Sequence, residues 1–251
     1  MIHIGITGQS GFVGTNLSNY IQRFPQKYLL VPFEDKFFYE TSLLTEFVRK
    51  CDVIVHLAAV MRSSIEGEVY RTNMDLVEKL ISSMDNNQVV PNILFSSSIQ
   101  DDNGSEYGMC KQDGIARFNE WALAHNTGFV ALRFPNLFGP YAKPNYSSFI
   151  ATFCYKLNRG EIPTVIHDND IPLIYIGNMV KRIMRIVDEI CVNKVCDIVD
   201  FTPDKVVKVT SVLETLKSFQ QAIANNEKLI CTNEFDRNLY NTFKSYINYT
   251  L

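Results

Sequence analysis

The sequence predicts an α/β protein, a doubly wound parallel sheet with helices on both faces and a small C-terminal lobe. Three observations carry this. Short apolar runs alternate with longer segments of helical spacing, a glycine-rich turn joins the first run to the first such segment, and 46% apolar against 20% charged residues suits a well-packed core. The strand candidates are Ile2–Thr7, Tyr28–Pro32, Val53–Leu57, which reads as the fourth strand, Asn92–Ser96 and Phe129–Phe134; helices are expected over Val13–Arg23 and Tyr107–His125. Short runs without polar alternation suit strands buried on both faces.

After Pro135 the chain is rich in Pro, Asn, Gly and Tyr as far as Tyr146 and reads as loop and pocket wall. Helices are expected over Ser147–Asn158, Asn178–Glu189 and Ser211–Ala224, forming a modest lobe over the carboxyl edge of the sheet. The division is set at 1–140 and 141–251, with the chain crossing more than once between the two parts.

A formal net charge of −3 gives no general attraction for nucleic acid or anionic membranes. The chain enters its first strand directly from Met1, without a basic region and long apolar stretch, and no apolar run approaches the roughly 20 residues of a spanning helix. A cytoplasmic protein without membrane insertion is expected. The six cysteines contain no Cys-x-x-Cys pair and no zinc-like spacing with histidine, so reduced thiols and no metal are expected.

In Thr7-Gly-Gln-Ser-Gly-Phe-Val-Gly14, Gly8, Gly11 and Gly14 stand three apart where a helix should begin. Glycine there allows a tight turn and close backbone approach, so that a pyrophosphate can sit on amides at the positive end of the helix. Ser10, Phe12 and Val13 complete this candidate dinucleotide loop, and the pattern is Rossmann-like. Glu34, twenty residues beyond Gly14, can bond a ribose 2′-hydroxyl and would repel a 2′-phosphate, which favours NAD(H). The same carboxylate can equally face water in a turn, and Lys36 can reverse the preference. Leu57, Ala58 and Ala59 end a strand in small residues that let a flat ring approach the backbone; His56 reads as a packed histidine.

Tyr107-Gly-Met-Cys-Lys111 sets a phenol and an ammonium about one helical turn apart, on one face. Tyrosine ordinarily ionises near about 10, so neighbouring positive charge is needed for it to exchange protons at neutral pH. Just upstream, Ser96-Ser-Ser98 ends a strand, where a hydroxyl can hold a substrate carbonyl.

Glycine loop, alanine-ended strand, serine-ended strand and Tyr-x-x-x-Lys follow one another as in extended short-chain dehydrogenase/reductases, the NAD-dependent epimerase/dehydratase family, which the chain resembles over nearly its whole length. The resemblance implies that Ser98 hydrogen-bonds the substrate, Tyr107 is the acid/base, and Lys111 binds the nicotinamide ribose and tunes Tyr107. Asn73 matches the family asparagine near the active-site backbone. Arg133 and Asn136, in Arg133-Phe-Pro-Asn-Leu-Phe-Gly-Pro140, lie where these enzymes meet a sugar nucleotide. More narrowly, Ser98-Ile-Gln100 and the segments Pro135–Gly139, Lys143–Tyr146 and Ile150–Lys156 look like bacterial capsular polysaccharide reductases. That likeness implies NAD(P)H-dependent reduction of the 4-keto group of a UDP-linked 6-deoxy-N-acetylhexosamine, with the C-terminal lobe binding substrate, in a homodimer. Fuller members add a C-terminal cupin domain, so this chain reads as a stand-alone reductase or one part of a longer protein.

Two departures bear on the carry-over. Tyr175-Ile-Gly-Asn178 replaces a common Tyr-Val-Asp-Asp, and Pro172 stands where an arginine is usual. Reductases of this kind are expected to use NADPH, against the acidic Glu34, which leaves NAD(H) and NADP(H) both open. A 4,6-dehydratase would need an acidic pair where Ile99 and Gln100 stand; Asp101 and Asp102 read as solvated turn residues. A 4-epimerase uses the same triad, and a non-catalytic dinucleotide-sensing protein is the reading from another class.

Overall fold

The computed structural model describes residues 1–99, 104–146, 148–229 and 231–249, which group into two compact units, 1–134 with 180–201 and 135–179 with 202–251. Gln100, Asp101, Asp102 and Ser147 lie outside the described residues.

The first unit is built on six strands, β1 (Ile2–Thr7), β2 (Tyr28–Val31), β3 (Val53–His56), β4 (Asn92–Ser98), β5 (Phe129–Phe134) and β8 (Cys196–Asp200). They pair in the order β2-β1-β3-β4-β5-β8, every pairing parallel. The order reverses between β1 and β3, which is where α/β sheets open a crevice at the carboxyl ends of their strands. Parallel pairing needs crossovers, and the helices that supply them bury both faces. All four residues of β3 are therefore buried, as are Ile4, Gly5, Ile6 and Thr7 of β1.

The crossover helices include α1 (Phe12–Ile21), α2 (Thr41–Arg49), α3 (Glu68–Asn87) and α4 (Glu106–Ala124). On α3, Leu76, Val77, Leu80, Ile81 and Met84 recur at helical spacing and pack with Phe47, Phe95, Phe118 and Trp121. Across the α3–α4 contact, Tyr70 Oη donates to Asp113 (2.6 Å), and Arg117 reaches both oxygens of Glu78 (2.7 and 3.0 Å). The Ser105 hydroxyl accepts the Gly108 N–H and starts α4.

Two readings of the sequence are corrected. Val53–His56 is the third strand along the chain, not the fourth, because residues 35–49 form a 3-10 turn (Asp35–Tyr39) and α2 instead of a strand. The helix expected over Asn178–Glu189 is α6 (Ile176–Ile190), and from Val180 onward it belongs to the first unit, not to a lobe. The reason lies in its buried stripe, Val180, Ile183, Met184, Val187 and Ile190, which leads into the sixth strand of the sheet. Asp188 on α6 accepts from Lys27 Nζ (2.6 Å) and Tyr28 Oη (2.9 Å) at the start of β2.

The second unit holds a three-stranded sheet of β6 (Asn136–Phe138), β7 (Asp170–Tyr175) and β9 (Lys205–Lys208). β6 runs parallel to β7, and β9 antiparallel to it. The stretch after Pro135 is thus not all loop. Its helices are α5 (Phe149–Leu157), α7 (Val209–Ala224) and α8 (Glu234–Ser245), with Ser148 capping α5 and Asn233 capping α8. Phe153, Leu157, Leu216, Phe219, Phe243 and Tyr246 are buried there. Among the described residues no helix is long and apolar enough to cross a membrane.

Candidate active site

The glycine turn opens at the carboxyl end of β1. Gly8 has φ +68°, and a Cβ there would stand 2.8 Å from the Ala58 backbone nitrogen; a Cβ on Gly14 would stand 2.4 Å from the Gly8 carbonyl oxygen. Neither position admits a side chain, the first because of its left-handed backbone and close approach to β3, the second because α1 packs directly on the turn. Gly11 is different. It is exposed, it precedes α1 with extended backbone, and as the N-cap residue it has no side chain to bond the first-turn amides. Those donors, at the positive end of a helix beside a surface kept bare of side chains, fit the pyrophosphate of a dinucleotide. Ser10, Phe12 and Val13 lie in this turn and the first helical residues, with Ser10 exposed and its carbonyl accepting from Thr15 Oγ1 (3.3 Å).

Gln9 ties the turn to the end of β2, its Oε1 accepting the Phe33 N–H (3.0 Å). One residue on, Glu34 is exposed and its carboxylate is ion-paired to Lys36 Nζ (3.0 Å), which raises the affinity of the lysine for its proton. The acid that the sequence places at the ribose is thus partly neutralised by its own neighbour.

The end of β3 is organised by Thr7, which the sequence did not single out, and by His56, which is packed as the sequence reads it. The Thr7 hydroxyl accepts the Ala58 N–H (3.2 Å) and shares a proton with His56 Nδ1 (2.7 Å). The imidazole is buried, stacked on Phe95, and held down to about 3 by burial and by the Lys111 cation, so it stays neutral. Leu57, Ala58 and Ala59 follow, half-buried. Asn73 is buried on α3: its amide accepts the Val60 N–H and donates to the Val60 carbonyl (both 2.8 Å), and donates to Cys110 Sγ (3.3 Å). It therefore joins the loop after β3 to the residue before Lys111.

Tyr107 and Lys111 come together as the helical spacing predicts. The Lys111 side chain is 2% exposed, and its Nζ lies 5.4 Å from the centre of the Tyr107 ring and 4.4 Å from that of Phe95. It donates to Ser96 Oγ (3.5 Å), and burial pulls the ammonium down to about 8. Ser98, half-buried, is the last residue of β4, the strand that carries Phe95 and Ser96. Tyr107 itself is half-buried at the start of α4.

Arg133 lies on β5, with Nη1 3.3 Å from the Asp200 carboxylate. Asn136 is exposed on β6, in the second unit. In that unit Asn178 donates to Asp204 (3.1 Å), whose carboxylate also accepts the Tyr175 N–H (2.8 Å), so the departing Tyr-Ile-Gly-Asn stretch has a structural task. Among the described residues no group of three or more His, Cys, Asp or Glu side chains is placed to hold a metal ion. The residues that sequence reasoning missed are Thr7, Gln9 and Ser96. A run of three serines gives no sign of which hydroxyl meets which neighbour, and a glutamine within a glycine turn carries no signal of its own.

Comparison with known proteins bears on this arrangement. Residues 4–198 match the NAD dependent epimerase/dehydratase family. A UDP-2-acetamido-2,6-beta-L-arabino-hexul-4-ose reductase of Pseudomonas aeruginosa is 32% identical over 96% of this chain, which spans 64% of the length of that relative. The capsular polysaccharide assembling protein CapF of Staphylococcus aureus superposes with a TM-score of 0.77 at 28% identity, over 99% of this chain and 67% of that one. A UDP-N-acetylglucosamine 4-epimerase of Methanobrevibacter ruminantium shares the fold, with a TM-score of 0.78 at 17% identity over 98% of both chains.

Proposed function

Since the chain belongs to the NAD dependent epimerase/dehydratase family, we propose that it is a nicotinamide-dependent reductase of the 4-keto group of a UDP-linked 6-deoxy-N-acetylhexosamine in surface polysaccharide biosynthesis. The observation that carries this is the Lys111 ammonium, buried beneath the Tyr107 ring on one face of α4 beside the serine-ended strand β4. Its 4-keto sugar specificity leans on the similarity to the reductase of Pseudomonas aeruginosa.

In this reading Gly8, Ser10, Gly11, Phe12, Val13 and Gly14 hold the dinucleotide pyrophosphate, Leu57, Ala58 and Ala59 border its rings, and Glu34 with Lys36 meets the adenosine ribose. Reduced nicotinamide supplies the hydride. The chain's own residues supply the rest. Ser98 donates a hydrogen bond to the ketone oxygen and fixes it. Tyr107 donates its phenolic proton to that oxygen as negative charge develops there. Lys111 sets the local positive potential that makes the phenol a readier acid, and Asn73 anchors the loop after β3 against its helix. Asn136 and Arg133 contact the sugar nucleotide. The protein works in the cytoplasm as a homodimer, which sedimentation velocity would read as twice the chain mass.

The test incubates the protein with NADH or NADPH and a panel of UDP-linked 4-keto sugars. Stoichiometric oxidation of the dinucleotide with appearance of a 4-hydroxy sugar is expected. Dinucleotide that copurifies tightly and is never consumed, with a UDP-linked 4-hydroxy sugar supplied in parallel and inverted at C4, would replace the reductase by an epimerase.

A further inference from the structure

We infer that Ser96 is the positioning residue of the Lys111 ammonium: its hydroxyl, held by a backbone carbonyl of the neighbouring strand, fixes Nζ and supports its charge while leaving the other N–H bonds for a dinucleotide ribose. The ribose part rests on the function proposed above; the Ser96–Lys111 relation does not.

The Lys111 ammonium occupies an unfavourable place for an ion. It is buried, and among the described residues Ser96 Oγ, the Phe95 ring and the Tyr107 ring are its contacts, none of them a carboxylate. Burying a charge is costly unless dipoles and π-faces replace the water it loses. Among the described residues the titratable groups around it are His56 on β3 and Tyr107 and Cys110 on α4, while β4 contributes Phe95 and Ser96. His56 is neutral, and burial keeps the Cys110 thiol protonated, so neither offers a fixed negative charge.

Ser96 is fitted to this task by its own hydrogen bond. Its Oγ donates to the His56 carbonyl (3.2 Å), across the pair in which His56 stands opposite Phe95 in the sheet. With its proton committed there, the lone pairs of the hydroxyl are left to face donors, and Lys111 is the donor that arrives (3.5 Å). The carbonyl cannot move, because β3 lies inside the sheet and the His56 ring is pinned by Thr7 and Phe95. An ammonium has three N–H bonds; one directed at Ser96 leaves two for a vicinal diol. Burial already draws the lysine down to about 8, and a charge-assisted hydrogen bond to Ser96 works against that loss.

The experiment follows Lys111 directly, in the full chain without ligand. Lysine labelled with ¹³C at Cε is titrated by NMR, the Lys111 signal being assigned by its loss in Lys111→Arg. In Ser96→Ala the Lys111 pKa should fall by at least about one, the size expected of a hydrogen bond to a charged group. Ser96→Thr, which restores the hydroxyl, should return it to within a few tenths of wild type. Ser96→Cys, nearly isosteric but a poor acceptor, should move it in the same direction as Ala, and serves if Ser96→Ala does not fold. A Lys111 titration unchanged in Ser96→Ala or Ser96→Cys overturns the inference. Calorimetry of NADH and NADPH on wild type separates the two claims. Failure of both to bind would overturn the ribose clause and the functional reading, while the titration still judges Ser96.

Discussion

In the proposed reaction, the Lys111 ammonium 5.4 Å from the centre of the Tyr107 ring would favour negative charge on the phenol oxygen and so help it give up its proton. Under the proposed function the proton of Tyr107 would be needed most as charge grows on the ketone oxygen, so its removal should fall on kcat. Tyr107→Phe is expected to lower kcat by at least about 10²-fold while dinucleotide affinity, by calorimetry, stays near wild type. Lys111→Met should reduce both. His56 gives a second prediction, on stability. Its folded state resists protonation down to about 3, whereas the unfolded chain takes up a proton near 6.5. Stability from this residue is therefore complete above pH 6.5 and is lost progressively as pH falls from there toward 3, on the order of a few kcal/mol in total. Urea midpoints at pH 7, 5 and 4 should decline, and the decline should be shallower in His56→Gln; parallel slopes in the two proteins would assign the acid sensitivity elsewhere. At this scale much was legible: Tyr-x-x-x-Lys fixes a shared helix face whatever the surroundings. The Glu34–Lys36 pair was not, because side-chain pairing two residues apart depends on the 3-10 turn that follows β2.

The glycine turn and α1 behave as one element. Gly14→Ala would force a methyl against the carbonyl oxygen of Gly8 and the backbone of Gln9, neither of which can yield without moving the turn. It should cost about 1–3 kcal/mol of stability as overpacking does, and weaken dinucleotide binding. Gly11→Val has more room, its Cβ meeting only the Gly8 oxygen at 3.2 Å, and should abolish dinucleotide binding with the smaller loss of stability. Calorimetry and thermal melts on both variants check the ordering; unchanged affinity in a folded Gly11→Val would remove the turn from the site. The strands β1, β3, β4 and β5 could be read from their apolar runs because both their faces are covered. β8 could not: it is an edge strand, Cys-Asp-Ile-Val-Asp, mostly exposed and without a clear period. Missing it hid the destination of α6, whose apolar stripe was visible but whose partner sheet was not.

The order β2-β1-β3-β4-β5-β8 means that a strand from late in the sequence completes the sheet begun at residue 2, so the chain passes between its two compact units at 134, 179 and 201. The sequence suggests a division near 140 with more than one crossing but cannot place the crossings at 179 and 201, since no local pattern reports a long-range parallel pairing. For the molecule as a whole, everything turns on whether nicotinamide hydride ends on C4 of a UDP-linked sugar, with Tyr107 supplying the proton to its oxygen. The most direct measurement supplies the full chain with a UDP-linked 4-keto-6-deoxy-N-acetylhexosamine and NADH or NADPH carrying deuterium at one or the other face of C4 of the nicotinamide. Mass spectrometry and proton NMR of the product should find one deuterium on sugar C4 for each dinucleotide oxidised, from only one of the two labelled forms. Sugar converted without net consumption of dinucleotide, or product whose C4 hydrogen comes from neither labelled form, would contradict it.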